Sequence, residues 1–296
     1  LDFEMGVFYP MGGMTKIFKS LYIIAEKNGV KFKFNTSAEK ILVENKKAVG
    51  VETNEAKLMA DIVISNADYQ FTEMHLLDKK NRQFSKTYWD SRTMAPSGFI
   101  LYLGVEKQFD SLKHHNLFFA EKWKEGFEAI FKGKSLPECP SYYICAPSKT
   151  DSSVAPEGCE NLFVLVPTTT NLKLDETTIK TYRDKIITHM SKTMKLEGLE
   201  DHIVFERIFT GRDFSSLYNA YKGTALGLAQ NLMQTAVFRP KTKSTKVKNL
   251  YFTGANTNPG IGVPMCLISS QIVYKRIHGI VHGRPLSVED TKFKIK

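Results

Sequence analysis

The segment 250–264 constrains the fold of this chain more than any other stretch of its sequence. It reads Leu-Tyr-Phe-Thr-Gly-Ala-Asn-Thr-Asn-Pro-Gly-Ile-Gly-Val-Pro. Its first four residues predict a buried strand, and Pro264 predicts a helix start because prolines are favoured in the first turn. Gly254, Gly260 and Gly262 lack a Cβ, so their backbone can approach a ligand closely. A helix N-terminus there favours an anionic or electron-rich group, although the pattern also fits a tight turn that binds nothing.

Composition places the chain among soluble globular proteins of one or two domains. It has 296 residues, of which 42% are hydrophobic and 24% are charged. The net charge is +10, and one basic run stands out, namely Arg239, Lys241, Lys243, Lys246 and Lys248. This run is typical of a solvated loop, and contact with anionic lipid headgroups is the alternative interpretation. No basic groove studded with aromatic residues is visible, so no nucleic acid partner is expected.

The cysteine and histidine pattern predicts no metal site. The four cysteines form no Cys-x-x-Cys pair, which is typical of reduced cysteines in a cytoplasmic protein. His114 and His115 are adjacent, and we expect their side chains to diverge without a third ligand. They are interpreted as loop histidines before a strand, with a proton shuttle as the alternative. No apolar run is long enough to span a membrane.

Periodicity predicts helices and strands in two domains. In the first region it predicts a helix with Phe18 and Leu21 on its apolar face, a strand over 30–34, a hairpin around 45–47 and a strand over 58–64. In the next region it predicts strands over 98–104, 142–145, 162–167 and 203–209 and a helix over 176–194, whose apolar face is Ile179, Tyr182, Ile186, Ile187 and Met190. In the last helix, Met265, Ile268 and Ile272 are expected to lie on one apolar face.

Several motifs, in the same order along the chain, resemble those of the bacterial carotenoid desaturases, the phytoene and dehydrosqualene desaturases. They are Tyr-Pro-Met-Gly-Gly-Met at 9–14, Ala-Asp-Ile-Val-Ile-Ser-Asn-Ala-Asp at 60–68, Ser-Gly-Phe-Ile-Leu-Tyr-Leu-Gly at 97–104, His-His-Asn-Leu-Phe-Phe at 114–119, Ala-Pro-Glu-Gly at 155–158, Tyr-Asn-Ala-Tyr-Lys-Gly-Thr-Ala-Leu-Gly at 218–227, and the 250–264 segment. The resemblance implies FAD as cofactor and an α/β fold with an α+β substrate domain.

The resemblance also implies a domain arrangement. It predicts part of an FAD-binding domain over 1–78, a substrate-binding domain over 79–232, a return to the FAD-binding domain over 233–285, and a tail over 286–296. The family's Gly-x-Gly-x-x-Gly element, which binds the ADP half of FAD, does not occur in the sequence. We therefore expect the chain to be the C-terminal portion of a longer two-domain oxidoreductase, and to bind FAD poorly by itself.

The resemblance assigns the cofactor-binding residues. Gly12 and Gly13 are expected to let a helix start approach the flavin, and the backbone of Ala38 is expected to meet the adenine. The helix start of the 250–264 segment is expected to face the flavin ring through Gly254, Ala255, Thr257, Gly260, Ile261, Gly262, Val263 and Pro264.

Arg212 and Asp213 are the candidate catalytic residues, because desaturation releases a proton that a carboxylate or nearby base accepts. The alternative is a surface loop in which Asp213 caps a helix. The resemblance implies hydride transfer from a carotenoid precursor such as phytoene or dehydrosqualene to the flavin. Two alternatives are another polyene-modifying flavoenzyme, resembling retinol saturase or carotenoid oxygenase, and an inactive fragment without cofactor.

The expected substrate dissolves in the bilayer, so a protein without a spanning helix has to reach it from the membrane surface. We expect a cytoplasmic, peripherally membrane-associated protein. The aromatic-rich region 117–131 is the predicted docking element, with apolar insertion outweighing electrostatic attraction because Glu125 and Glu128 lie within it.

Overall fold

The computed structural model describes residues 6–287 and 289–291. Its strands, in chain order, are β1 (Ala38–Glu44), β2 (Lys47–Thr53), β3 (Lys57–Met59), β4 (Val63–Ser65), β5 (Ser97–Val105), β6 (His115–Phe118), β7 (Tyr142–Cys145), β8 (Glu160–Thr168), β9 (Ile203–Phe209) and β10 (Leu250–Phe252). The α-helices of eight or more residues are α1 (Thr15–Lys27), α2 (Trp123–Lys132), α3 (Glu176–Thr193), α4 (Gly211–Tyr218) and α5 (Val263–His278). Shorter helical turns connect them.

The chain forms two compact units, and neither is continuous in sequence. The first comprises the described residues up to 34 together with 97–212, and the second comprises 35–96 together with the described residues from 213 onward. The predicted boundaries after residues 78 and 232 both fall inside the second unit. The assignment of a flavin domain and a substrate domain to the predicted ranges stays a prediction.

The first unit is built on an antiparallel sheet with the strand order β6-β7-β8-β5-β9. β5 pairs with β8 along its whole length, from Ser97 opposite Thr168 to Val105 opposite Glu160. Alternate residues of β8 are buried, as expected for a sheet with one covered face. The predicted apolar face of α3 is confirmed, because all five of its residues are buried in this core.

The second unit contains a three-stranded antiparallel sheet, β1-β2-β3, and a parallel pair, β4 and β10. The predicted hairpin is confirmed, with Asn45 and Lys46 at positive φ in its turn. The predicted strand over 58–64 is wrong as a single element. It divides into β3 and β4, which belong to different sheets, because the chain leaves β2 at Ala60 and pairs next with β10.

The predicted strand over 30–34 is also wrong. The structure has no strand at these residues, and the alternation of Phe32 and Phe34 serves ring packing instead. The rings of Tyr22 and Phe32 have centroids 4.4 Å apart. On α1, the predicted apolar face remains uncovered, with Phe18 55% and Leu21 44% exposed.

Candidate functional site

The strand–turn–helix predicted for 250–264 is confirmed. All three residues of β10 are buried, and Leu250, Tyr251 and Phe252 lie opposite Val63, Ile64 and Ser65 of β4. α5 begins at Val263 with Pro264 in its first turn. Because the first N–H groups of a helix have no partner within it, they are available to a ligand at this end.

The side chain of Ser269 connects the glycine turn to helix α5 by hydrogen bonds. Its hydroxyl is fully buried, accepts a hydrogen bond of 3.1 Å from the Gly254 N–H and lies 2.8 Å from Thr257 Oγ1. The buried residues of α5 are Ser269 and Val273, whereas Ile268 on the predicted apolar face is 40% exposed. The helix is oriented by this polar contact, which apolar spacing does not reveal.

The three glycines of the turn have different structural roles. A Cβ on Gly254 would come within 2.8 Å of Asn66 Oδ1, and a Cβ on Gly260 would collide with the amide of Gln230. At Gly262, φ is +113°, and the nearest atom to a Cβ would be Met265 Cγ at 3.9 Å. Gly254 and Gly260 therefore face neighbouring side chains, and their φ values of +102° and +132° favour glycine. The Gly262 side is open and can accept a flat ligand.

Arg239 is the residue that sequence reasoning missed at this site. The sequence predicts that it belongs to a solvated basic run, but the residue is only 2% exposed. Its guanidinium donates hydrogen bonds to the carbonyl oxygens of Ala255 (2.6 Å), Thr257 (3.0 Å), Gln234 (3.1 Å) and Leu228 (3.1 Å). Burial lowers the pKa of Arg239, but a guanidinium stays protonated at neutral pH. One cation thus holds the carbonyl groups of the glycine turn. The one feature of the sequence that could have indicated this role is that Arg239 is the single arginine in a run otherwise made of lysines.

The remaining predicted cofactor residues lie outside the 250–264 segment in sequence. Ala38 opens β1 in the second unit and is paired with Thr53. Gly12 and Gly13 belong to the first unit, at φ of +87° and +89°. There the Gly12 N–H donates a hydrogen bond of 2.5 Å to Asp151, a residue that sequence analysis did not single out. Hydrogen bonds from the Ser153 hydroxyl and the Gly12 N–H hold the pKa of the Asp151 carboxyl below its usual range.

Arg212 and Asp213 lie in the first turn of α4 rather than in a loop. The Arg212 Nη1 atom is 2.7 Å from Glu176 Oε1, and both side chains are largely exposed. Asp213 is inside the helix, so the alternative in which it is the N-cap is wrong. A catalytic role for the two residues stays a prediction.

An open apolar groove of about 170 Å³ lies in the first unit. It is lined mainly by aromatic, aliphatic and proline side chains of β6, α2 and β7, among them Leu117, Phe119, Trp123, Phe127, Tyr142 and Tyr143. Trp123, Phe127 and Phe131 recur every fourth residue and thus share one face of α2. They are 51%, 55% and 49% exposed. Among the described residues, the structure has no helix that is both long and apolar enough to cross a membrane.

The histidine pair differs from its prediction. The His114 and His115 rings lie side by side with centroids 4.3 Å apart, so the two side chains do not diverge. Cys145 supplies the third potential ligand that was not evident in the sequence, and one ligand atom from each of the three residues lies within 4.8 Å of the others.

A buried strand that ends in a glycine turn at a helix start is the arrangement of nucleotide-cofactor sites. With its mixed sheets and helices, the chain is an α/β protein with such an arrangement at residues 250–264. Residues 1–277 match the model of the family described as flavin containing amine oxidoreductase. The chain belongs to this family, and a flavin cofactor follows from that membership.

The curated relatives are carotenoid enzymes. The chain is 43% identical over 272 residues to a carotenoid 3,4-desaturase of Haloarcula japonica, covering 92% of this chain and 54% of that protein. It is 34% identical over 294 residues to a zeta-carotene-forming phytoene desaturase of Myxococcus xanthus, covering 97% of this chain and 56% of that protein. The chain thus spans about half the length of the curated relatives that it matches.

A solved structure supports the fold. The crystal structure of an oxidoreductase from Methanosarcina mazei superimposes with a TM-score of 0.56 at 18% identity, covering 90% of this chain and 55% of that chain. The predicted class, a mixed α/β oxidoreductase fold, is confirmed.

Proposed function

We propose that the protein is an FAD-dependent carotenoid desaturase. The single observation that carries the proposal is the open side of Gly262 at the start of α5, which leaves room for a flat ring against the helix N-terminus. The curated relatives give the substrate class, because the two reported above are named as desaturases of carotenoids or of phytoene.

The residues of the 250–264 segment would hold the flavin ring by their backbone. Gly254, Ala255, Thr257 and the run 260–264 line the turn and helix start, and Arg239 fixes the carbonyl groups behind them. Because those carbonyl groups are occupied by the guanidinium, the N–H groups at the start of α5 are the polar groups left to meet the cofactor. We retain Gly12, Gly13 and Ala38 as proposed contacts.

In the proposed reaction, two neighbouring saturated carbons of the polyene chain become doubly bonded. The substrate loses a hydride and a proton, and the bound flavin supplies the chemistry that accepts the hydride. A base has to take the proton. We propose Asp213 as that base, with Arg212 beside it.

The apolar groove of the first unit is the proposed binding region for the polyene. Its lining offers almost no polar group, which suits a hydrocarbon. The aromatic face of α2 borders the groove, so we propose that α2 inserts into a membrane surface and that substrate enters from there. A peripheral position at the cytoplasmic side of a membrane follows from this proposal.

Product analysis tests the proposal. The protein, reconstituted with FAD, is incubated with liposomes that contain phytoene or dehydrosqualene, and the products are identified by absorbance and mass. A product lighter by two hydrogen atoms and with a longer conjugated system is expected. An oxygen-containing product supports an enzyme resembling carotenoid oxygenases, and a product with added hydrogen supports one resembling retinol saturase. Protein without flavin and without turnover supports the inactive alternative.

A further inference from the structure

A cluster of nitrogen and sulfur ligands lies in the first unit and has no part in the proposed flavin chemistry. It consists of His114, His115 and Cys145, whose ligand atoms lie within 4.8 Å of one another. Strand pairing explains why they meet. His115 at the start of β6 lies directly opposite Cys145 at the end of β7, so the two side chains lie on the same face of the sheet. His114 precedes β6, and its carbonyl accepts a hydrogen bond of 2.8 Å from the Ala146 N–H.

One ring nitrogen of each histidine lies within hydrogen-bond distance of a hydroxyl group. His114 Nδ1 is 2.7 Å from Thr150 Oγ1, and His115 Nδ1 is 2.7 Å from Tyr143 Oη. When Nδ1 carries the proton and donates it to the hydroxyl, Nε2 is left with a lone pair for a metal. Metal-binding histidines are usually oriented in this way by an outer partner. Both rings of this cluster have such a partner.

The surroundings shield the cluster on one side. The edge of the Tyr9 ring packs against His114 with centroids 4.8 Å apart and shields that side of the cluster. Cys145 is half-buried and has no disulfide partner.

We propose that His114, His115 and Cys145 bind one Zn²⁺ ion, with a fourth position open to water. Two imidazoles and one thiolate form a ligand set that zinc accepts, and three protein ligands with an open position are known for this ion. With Zn–N distances of about 2.0 Å and Zn–S distances of about 2.3 Å, ligand atoms stand roughly 3.5 Å apart. The ligand atoms therefore have to approach one another by about 1 Å on metal binding. Rotation of the side chains about χ1 and χ2 would bring them together.

Metal titration of the whole purified chain tests this proposal without any flavin or activity measurement. The chain is freed of metal, titrated with Co²⁺ and then with competing Zn²⁺. We expect one Co²⁺ per chain, with a thiolate-to-cobalt charge-transfer band and visible bands of tetrahedral intensity that Zn²⁺ removes. Absence of the charge-transfer band would overturn the proposal.

Variants identify the ligands. Cys145→Ser should abolish the charge-transfer band, and His115→Gln should weaken Zn²⁺ binding by more than the roughly 10–100-fold that loss of an outer partner costs. Thr150→Val should weaken it within that range. Cys159→Ser and His202→Gln are matched controls, because they remove a half-buried cysteine and a histidine of the same unit outside the cluster. Binding that survives Cys145→Ser, or that is lost equally in the controls, would show that the metal binds elsewhere.

Discussion

The Nη2 atom of Arg239 donates a hydrogen bond of 2.6 Å to the carbonyl oxygen of Ala255, in the middle of the glycine turn. The same guanidinium reaches Thr257 on the turn and Leu228 and Gln234 on the preceding loop. A buried cation with carbonyl partners is costly to remove, because every acceptor loses its donor at once.

Replacement of Arg239 should therefore destabilise the second unit. We expect Arg239→Met to lower the free energy of unfolding by about 3 kcal/mol, because several buried carbonyl groups lose their donor. The free energy of unfolding of Arg239→Lys should lie between those of the parent protein and Arg239→Met. An ammonium group has only three donors and cannot reproduce the planar fork of a guanidinium. Chemical denaturation measures both. Lys241→Met, at an exposed position of the same segment, should change stability by no more than about 0.5 kcal/mol.

A side chain at Gly262 should lower both the stability of the protein and its affinity for flavin. Gly262→Ala forces an alanine into a region of backbone space that is nearly exclusive to glycine, at a cost of about 1–3 kcal/mol. We also expect it to reduce flavin affinity at least about tenfold, because the new Cβ occupies the open side. Gly279→Ala at the end of the same helix is the matched control, with φ of +70° and no atom within 4 Å of a Cβ. Flavin content after denaturation is the measurement. An equal loss in both variants would argue against the proposed flavin position.

The exposed face of α2 should anchor the protein to lipid. We expect the protein to float with liposomes, to remain bound in high salt, and to lose about tenfold in partitioning for each change Phe127→Ser and Phe131→Ser. Phe205→Ser removes a phenylalanine of similar exposure on β9 and should leave binding unchanged. Release of the parent protein by salt alone would indicate electrostatic rather than apolar docking.

Asp151 should make the stability of the first unit depend on pH. The pKa of its carboxyl in the folded state is below the ordinary value of 3.8, so its stabilising effect is present above about pH 4 and is lost as pH falls through the folded-state pKa. We expect Asp151→Asn to lower Tm at pH 7, with a smaller difference at pH 3. Asp110→Asn, at an exposed position of the same unit, should leave the pH profile of Tm unchanged. A Tm difference for Asp151→Asn that is constant from pH 3 to pH 7 would contradict this explanation.

The local sequence is sufficient to predict an element when the residues of that element alone determine its structure. The apolar face of α3, the strands β5, β7, β8 and β9 and the strand–turn–helix of the 250–264 segment are all predicted correctly. The local sequence is insufficient where residues distant in the sequence determine burial or strand pairing. Arg239 is buried because carbonyl groups of two loops surround it, and β4 separates from β3 because its partner is β10.

The histidine cluster shows the same limit. His114 and His115 are visible in the sequence, but their third partner comes from the pairing of β6 with β7. Nothing local to either strand specifies that Cys145 lies opposite His115. Likewise, the buried face of α5 is set by the contact of Ser269 with Gly254 and Thr257, which a hydrophobic pattern cannot contain.

The discontinuity of the second unit has a consequence for the order of events during protein synthesis. Asn249 hydrogen-bonds the carbonyl of Asp61, a residue 188 positions earlier, just before β10 pairs with β4. At about 5–20 residues per second, a ribosome needs roughly 10–40 s to make that intervening chain. Throughout this interval β4 has no β10 to pair with, and an unpaired strand edge is a template for association with other chains. The yield of folded protein in a cell should therefore rise when a chaperone occupies the nascent chain until β10 has emerged.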